Sequence, residues 1–152
     1  MFVHRNIANL VIHTDMNFLS VLQFAVENLK VPHIVICGHY NCGGVKAALS
    51  TQNLGIIDNW VRNIKDTHFT HKVEVDSIRE EGSRVNRLVE LNVIEQVKNL
   101  AHTSIIQKSW KGRKYPYIHG WVYDINTGLL KQLLTLDPDT NVDSAYRYDF
   151  NG

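Results

Sequence analysis

HIVICGHYNCGGVKAAL, residues 33–49, decides the reading of this chain. Its opening, HIVIC, is a short apolar and β-branched run. Such a run suits a strand covered on both faces, as in a parallel sheet, and it predicts that Cys37 points into the core. GHYNCGG is then the loop at the carboxyl end of that strand, and GVKAALS opens the next helix. In open α/β sheets, sites form where the carboxyl ends of strands lead into helices. His39 and Cys42 lie in such a loop. Gly38 is expected to turn the chain sharply off the strand, and Gly43 and Gly44 to let backbone amides approach a small ligand. The helix start favours negative charge and so supports a thiolate at Cys42. A thiolate and a neutral imidazole are good zinc ligands. The spacing leaves two other readings open: a Cys42 nucleophile activated by His39, and a polar loop that merely contains a small buried cysteine.

Upstream, FVHRN reads as short and extended. IHTDMNFLSVLQFAVENLK, residues 12–30, reads as a helix capped by Thr14 or Asp15. Leu19, Leu22, Val26 and Leu29 fall on one face with Phe18 and Ala25 beside them, and Pro32 stops the helix. Downstream, residues 53–69 predict a helix with Ile57, Trp60, Val61 and Ile64 on one side. VEVDSIREEG reads as a polar loop. Ser83 is placed to cap RVNRLVELNVIEQVKNLAH, where Val85, Leu88, Val89, Val93, Val97 and Leu100 form a long apolar stripe. KSWKGRK reads as a solvated basic turn. YIHGWVYDINTGLLKQLLTL reads as strand, turn, strand, with Gly128 supplying the positive φ of a three-residue loop at Asn126-Thr127-Gly128. The tail after Pro138 is weakly specified. Strands alternating with helices and then a hairpin give an α/β fold: a mainly parallel β-sheet flanked by helices, with an antiparallel edge strand.

The whole-chain totals narrow the classes. A length of 152 residues fits a single domain, 1–152, and a chain of this size buries roughly 70% of its unfolded surface. A formal net charge of +1 supplies no bulk field for nucleic acid or an anionic membrane. Two cysteines make no disulfide framework, so a reduced, cytoplasmic setting is expected. No apolar run approaches the ~18 residues of a membrane span, and MFVHRNIANLV has no signal-peptide core. His33 is expected at a strand edge and His119 in a sheet hydrogen bond. His68, His71 and His102 are expected on the surface, and Trp60, Trp110 and Trp121 in the core or an interface.

HIVICGHYNCGGVKAAL, preceded by FVHRNIANLV and followed by ELNVIEQVKNL and IHGWVYDINTGLL, resembles the β-class carbonic anhydrases, particularly their bacterial branch. The resemblance implies reversible hydration of CO2 to bicarbonate and a proton, in a cytoplasmic homo-oligomer, dimer or tetramer. It implies one zinc per subunit, held by two cysteines and a histidine, with water or an aspartate in the fourth place. His39 and Cys42 match half of that set. The family's other half is a C-x-D-x-R motif on a first, central strand, whose aspartate and arginine form the catalytic dyad. These residues contain no such motif, so the resemblance implies an amino-terminally truncated domain that folds poorly alone and is weakly active or inactive. A fragment of a longer product, a misplaced start codon or a decayed gene would each give such a chain. The alternative is a non-catalytic fragment that acts through association with a full-length subunit. Arg5 and Tyr123 match positions of a second, non-catalytic bicarbonate pocket. A structural ion pair for Arg5 and a wedge between sheet and helix for Tyr123 fit equally well.

Overall fold

The structure, a computed structural model, describes residues 1–150, so the last two positions of the expected 1–152 domain lie outside the described residues. Asp15, not Thr14, caps the first helix: its Oδ1 accepts from the backbone N–H of Asn17 (3.0 Å) and Phe18 (3.2 Å). Helix α1, Met16–Gln23, runs into a wider π turn, Phe24–Asn28. The extra residue of that turn shifts the helical phase. Val26 stays buried with Leu22, while Leu29 swings off the expected face to 46% exposure.

Strand β1, His33–His39, pairs in parallel with β2, Tyr117–Asp124, in a register that sets His33 beside Tyr117 and His39 beside Tyr123. β2 pairs antiparallel with β3, Leu129–Leu136, giving a mixed sheet of order β1-β2-β3. The parallel pair and the antiparallel edge strand match the expected class. Asp124 pairs with Leu129, so the hairpin loop has four residues, 125–128, not three. Gly128 closes it at φ +73°, donating its N–H to the Asp124 carbonyl at 2.8 Å.

Helix α5, Glu81–Ala101, packs on one face of this sheet and buries the whole expected stripe from Val85 to Leu100. The approach is close. A Cβ added at Gly38 would lie 2.7 Å from Val93 Cγ2. Gly38 therefore makes room for α5 inside β1, and the turn off the strand is made by Asn41 at φ +58°.

The opposite face of β1 is open, which corrects the expectation of cover on both sides. Alternation sends Ile36 and Gly38 toward α5 and Val35 and Cys37 away. Cys37 is thus an exposed thiol, not a core residue. On that face His33 Nδ1 and His119 Nε2 meet at 3.1 Å, and His119 Nδ1 reaches Thr135 Oγ1 at 3.0 Å.

Tertiary packing adds elements that the local sequence does not announce. Helix α2, Gly43–Ala48, follows the site loop and α3, Ile57–Thr70, lies beyond it, as expected. A short helix α4, Lys72–Asp76, replaces the expected polar loop, anchored by fully buried Val75. Glu80, not Ser83, caps α5, accepting from the N–H groups of Gly82 and Ser83. Helix α6, Ser104–Arg113, replaces the expected basic turn. Its Trp110 is buried and donates Nε1–H to the Pro116 carbonyl at 2.6 Å.

The amino-terminal stretch forms no strand. Its 3-10 turn, Ile7–Asn9, is tied down by Trp60 Nε1–H on the Ile7 carbonyl (2.8 Å) and Asn92 Nδ2–H on the Ala8 carbonyl (3.0 Å). Just beyond it, the Val11 N–H donates to Gln96 Oε1 at 2.8 Å. No helix of the described residues is long and apolar enough to cross a membrane.

Candidate metal-donor loop

The passage from the end of β1 into α2 carries both expected donors. His39 ends β1, and Cys42 is the residue before α2, with φ −61° and ψ 121°. His39 Nδ1 lies 2.9 Å from the Tyr40 carbonyl. A carbonyl only accepts, so Nδ1 carries the proton and Nε2 keeps its lone pair, the tautomer a metal-binding imidazole needs. Cys42 is 6% exposed and sits in the core cluster with Ala8. Gly44 is a packing residue as well: a Cβ there would come 2.9 Å from Ile7 Cγ2. Gly43 faces open space.

The donor set is short of a zinc site. Among the described residues no three His, Cys, Asp or Glu side chains converge on one point. Cys37 faces the open side of the sheet and does not join the pair. Catalytic zinc takes three protein donors, so these residues alone do not fit the metal.

The two residues matched to a bicarbonate pocket are both exposed. Arg5 lies ahead of the first turn, and Tyr123, 39% exposed, is at the end of β2 beside His39. The Tyr123 carbonyl accepts the Tyr40 N–H at 3.0 Å, which ties the loop to the sheet.

A polar cluster missed in the sequence holds the loop from beneath. The Tyr40 hydroxyl donates to Glu90 Oε1 at 2.6 Å. Lys131 Nζ donates to the same oxygen at 2.7 Å, and Arg87 Nη1 to Oε2 at 2.7 Å. One turn earlier on α5, Asn86 Oδ1 accepts the Asn41 N–H at 2.9 Å. Glu90 is only 8% exposed. Burial pushes its carboxyl pKa up, but the bonds from Lys131, Tyr40 and Arg87 outweigh burial and hold it below the ordinary value. The available signal was an acidic residue set inside the apolar run LVELNV of a helix whose neighbours are core.

Glu95 is lowered in the same way, burial being outweighed by Lys98 and His71. A carboxyl whose folded pKa is depressed contributes stability above its unfolded value, about 4.3 for Glu, and loses it as pH falls through the folded value. The stability these two carboxylates contribute should therefore hold to about pH 5 and be lost below about 4.3, while burial of His102 and His119, which lowers their pKa, already costs stability as pH falls below about 6.5. In Glu90→Gln the acid limb should be shallower. An identical acid limb in that variant would remove Glu90 from the account.

With this geometry, the likeness to known proteins is specific. The profile of the family described as carbonic anhydrase matches residues 1–130. This chain belongs to the carbonic anhydrase family, β class. A carbonic anhydrase of Emericella nidulans is 52% identical over 133 residues, covering 88% of this chain and 58% of that protein. Carbonic anhydrase 1 of Escherichia coli O157:H7 is 35% identical over 111 residues, covering 70% of this chain and 49% of that one. A tetrameric β-carbonic anhydrase of the ascomycete Sordaria macrospora superposes with a TM-score of 0.84 at 41% identity, covering 89% of this chain and 69% of that one. The chain spans about half the length of the curated relatives it matches.

Proposed function

We propose that this chain carries part of the metal centre of a β-class carbonic anhydrase, with His39 and Cys42 as two protein donors to one zinc per subunit. The protein it belongs to then interconverts CO2 and bicarbonate plus a proton. The observation that carries this reading is the His39-x-x-Cys42 loop at the carboxyl end of β1, with the imidazole held by the Tyr40 carbonyl so that Nε2 is free. Zinc, when held by three donors, would supply an acidified water there. The third donor and the Asp/Arg dyad have to come from residues other than these, so the 152 residues by themselves are weakly active or inactive. Gly43 and Gly44 line the substrate side of the loop; open space at Gly43 supports this more than the packed Gly44 does. Arg5 and Tyr123, both exposed, are the bicarbonate-pocket residues.

The reading includes a homo-oligomer, dimer or tetramer, in a reduced cytoplasmic setting. Two free thiols and the tetrameric Sordaria relative support it. A second reading, a non-catalytic fragment that associates with a full-length subunit, is favoured by the open sheet face, where Val35 and Tyr117 are 40% and 42% exposed.

Metal analysis joined to size-exclusion chromatography with light scattering tests both. The first reading expects zinc to be retained only when a third donor is supplied by a longer chain, and lost in His39→Ala and Cys42→Ser versions of it. Zinc retained in both substituted chains would overturn it. A clean monomer that ignores a full-length partner would overturn the second.

A further inference from the structure

We propose that Glu90 is a positioning residue that latches the 39–42 loop through the Tyr40 hydroxyl, holding Cys42 out of solvent and the His39 ring in one orientation. This rests on reading that loop as the functional site. Tyr40 is the pivot of the loop. Its carbonyl accepts a hydrogen bond from His39 Nδ1–H, its N–H donates to the Tyr123 carbonyl, and its hydroxyl donates to Glu90. All the turning is done by the next residue, Asn41, in left-handed conformation, with its N–H bonded to Asn86. A non-glycine residue held there is unfavourable unless its surroundings fix it. Asn86 and Glu90, one turn apart on α5, are the fixing groups. Glu90 cannot swing away to water, because Lys131 from β3 and Arg87 from its own helix clamp both its oxygens. Arg87 is itself tied to Glu74 on α4 at 2.6 Å. Helices α4 and α5, strand β3 and the donor loop are thus joined through one carboxylate. Cys42 follows directly, with Ala8 and the Ile7–Asn9 turn packed beside Gly44.

The test uses the whole chain and the Cys42 thiol as reporter. In a Cys37→Ser background, Cys42 is the only thiol, and its labelling by a disulfide reagent at fixed pH measures opening of the loop. Tyr40→Phe and Glu90→Gln should each speed labelling at least about tenfold, the factor expected when a hydrogen bond to a charged group is lost. Ser109→Ala removes a bond of similar length, to the Tyr115 carbonyl at 2.6 Å, far from the loop along the chain. It should lower the melting temperature and leave labelling at the wild-type rate in native buffer. Should Glu90→Gln fail to fold, Tyr40→Phe decides alone. Unchanged labelling in Tyr40→Phe, or an equal rise in Ser109→Ala, overturns the latch. Labelling needs no metal, so fast labelling in a protein whose zinc content ignores His39 and Cys42 leaves the latch standing and fells the metal reading instead.

Discussion

A purified polypeptide of these 152 residues should hydrate CO2 at or little above the buffer rate and lose added zinc on dialysis. The reason is the count of donors at the loop. His39 offers Nε2 and Cys42 a sulfur, and no third His, Cys, Asp or Glu of the described residues joins them. With two protein donors the ion is not held in the geometry that brings bound water to a pKa near ~7, and a neutral-pH nucleophile is not generated. Enzymes of ordinary efficiency accelerate their reactions by at least about 10⁶-fold, so the expected difference is large. Stopped-flow hydration with a pH indicator reads it directly, and metal analysis after dialysis reads the cause. Stoichiometric zinc together with turnover well above buffer would show that the loop finds its third donor within these residues.

Gly120→Val should destabilise the fold strongly, by about 3 kcal/mol. Gly120 lies at the centre of β2, paired with Ile36 on one side and Leu134 on the other. A Cβ there would run into the Leu134 side chain and stand 3.1 Å from both Val93 and Val97 of α5. Neither neighbour has room to retreat, because Val93 and Val97 are fully buried between helix and sheet. Overpacking of a tight core costs typically about 1–3 kcal/mol, and a whole isopropyl group added at a strand centre belongs at the upper end. Against a total of about 5–15 kcal/mol that is roughly a fifth to three fifths of the stability. Urea denaturation followed by circular dichroism measures it. Gly112→Ala in α6 is the matched control, since a Cβ there meets nothing within 4 Å. It should stabilise by up to about 1 kcal/mol through helix propensity. A Gly120→Val chain as stable as wild type would mean that α5 does not bear on the sheet as described.

Much of the architecture was readable because it depends on local periodicity. The α5 stripe repeats with the helical period over 16 residues, from Val85 to Leu100, and every member is buried. The alternation of strands and helices and the final hairpin follow from the same short-range rules. The short or unfavourable-looking elements were not readable. Helix α4 exists because Val75 finds a fully buried seat, and α6 because Trp110 is buried; the burial of Trp110 was expected from its residue type, but not the helix that carries it.

The sequence by itself determined that a histidine and a cysteine stand where a strand leads into a helix, with glycines behind them, since residue identity and spacing suffice for that. Only the tertiary structure decided which face of β1 is covered. HIVIC is apolar at nearly every position, so its pattern does not choose between Ile36 and Cys37; the packing of α5 does. It also decided that Glu90 supports the loop, because the partners it joins, Tyr40 and Lys131, lie 50 and 41 positions away along the chain. Hydrogen bonds between distant residues leave no periodic trace in a sequence, and a buried carboxylate is tolerated only where folding brings its donors to it.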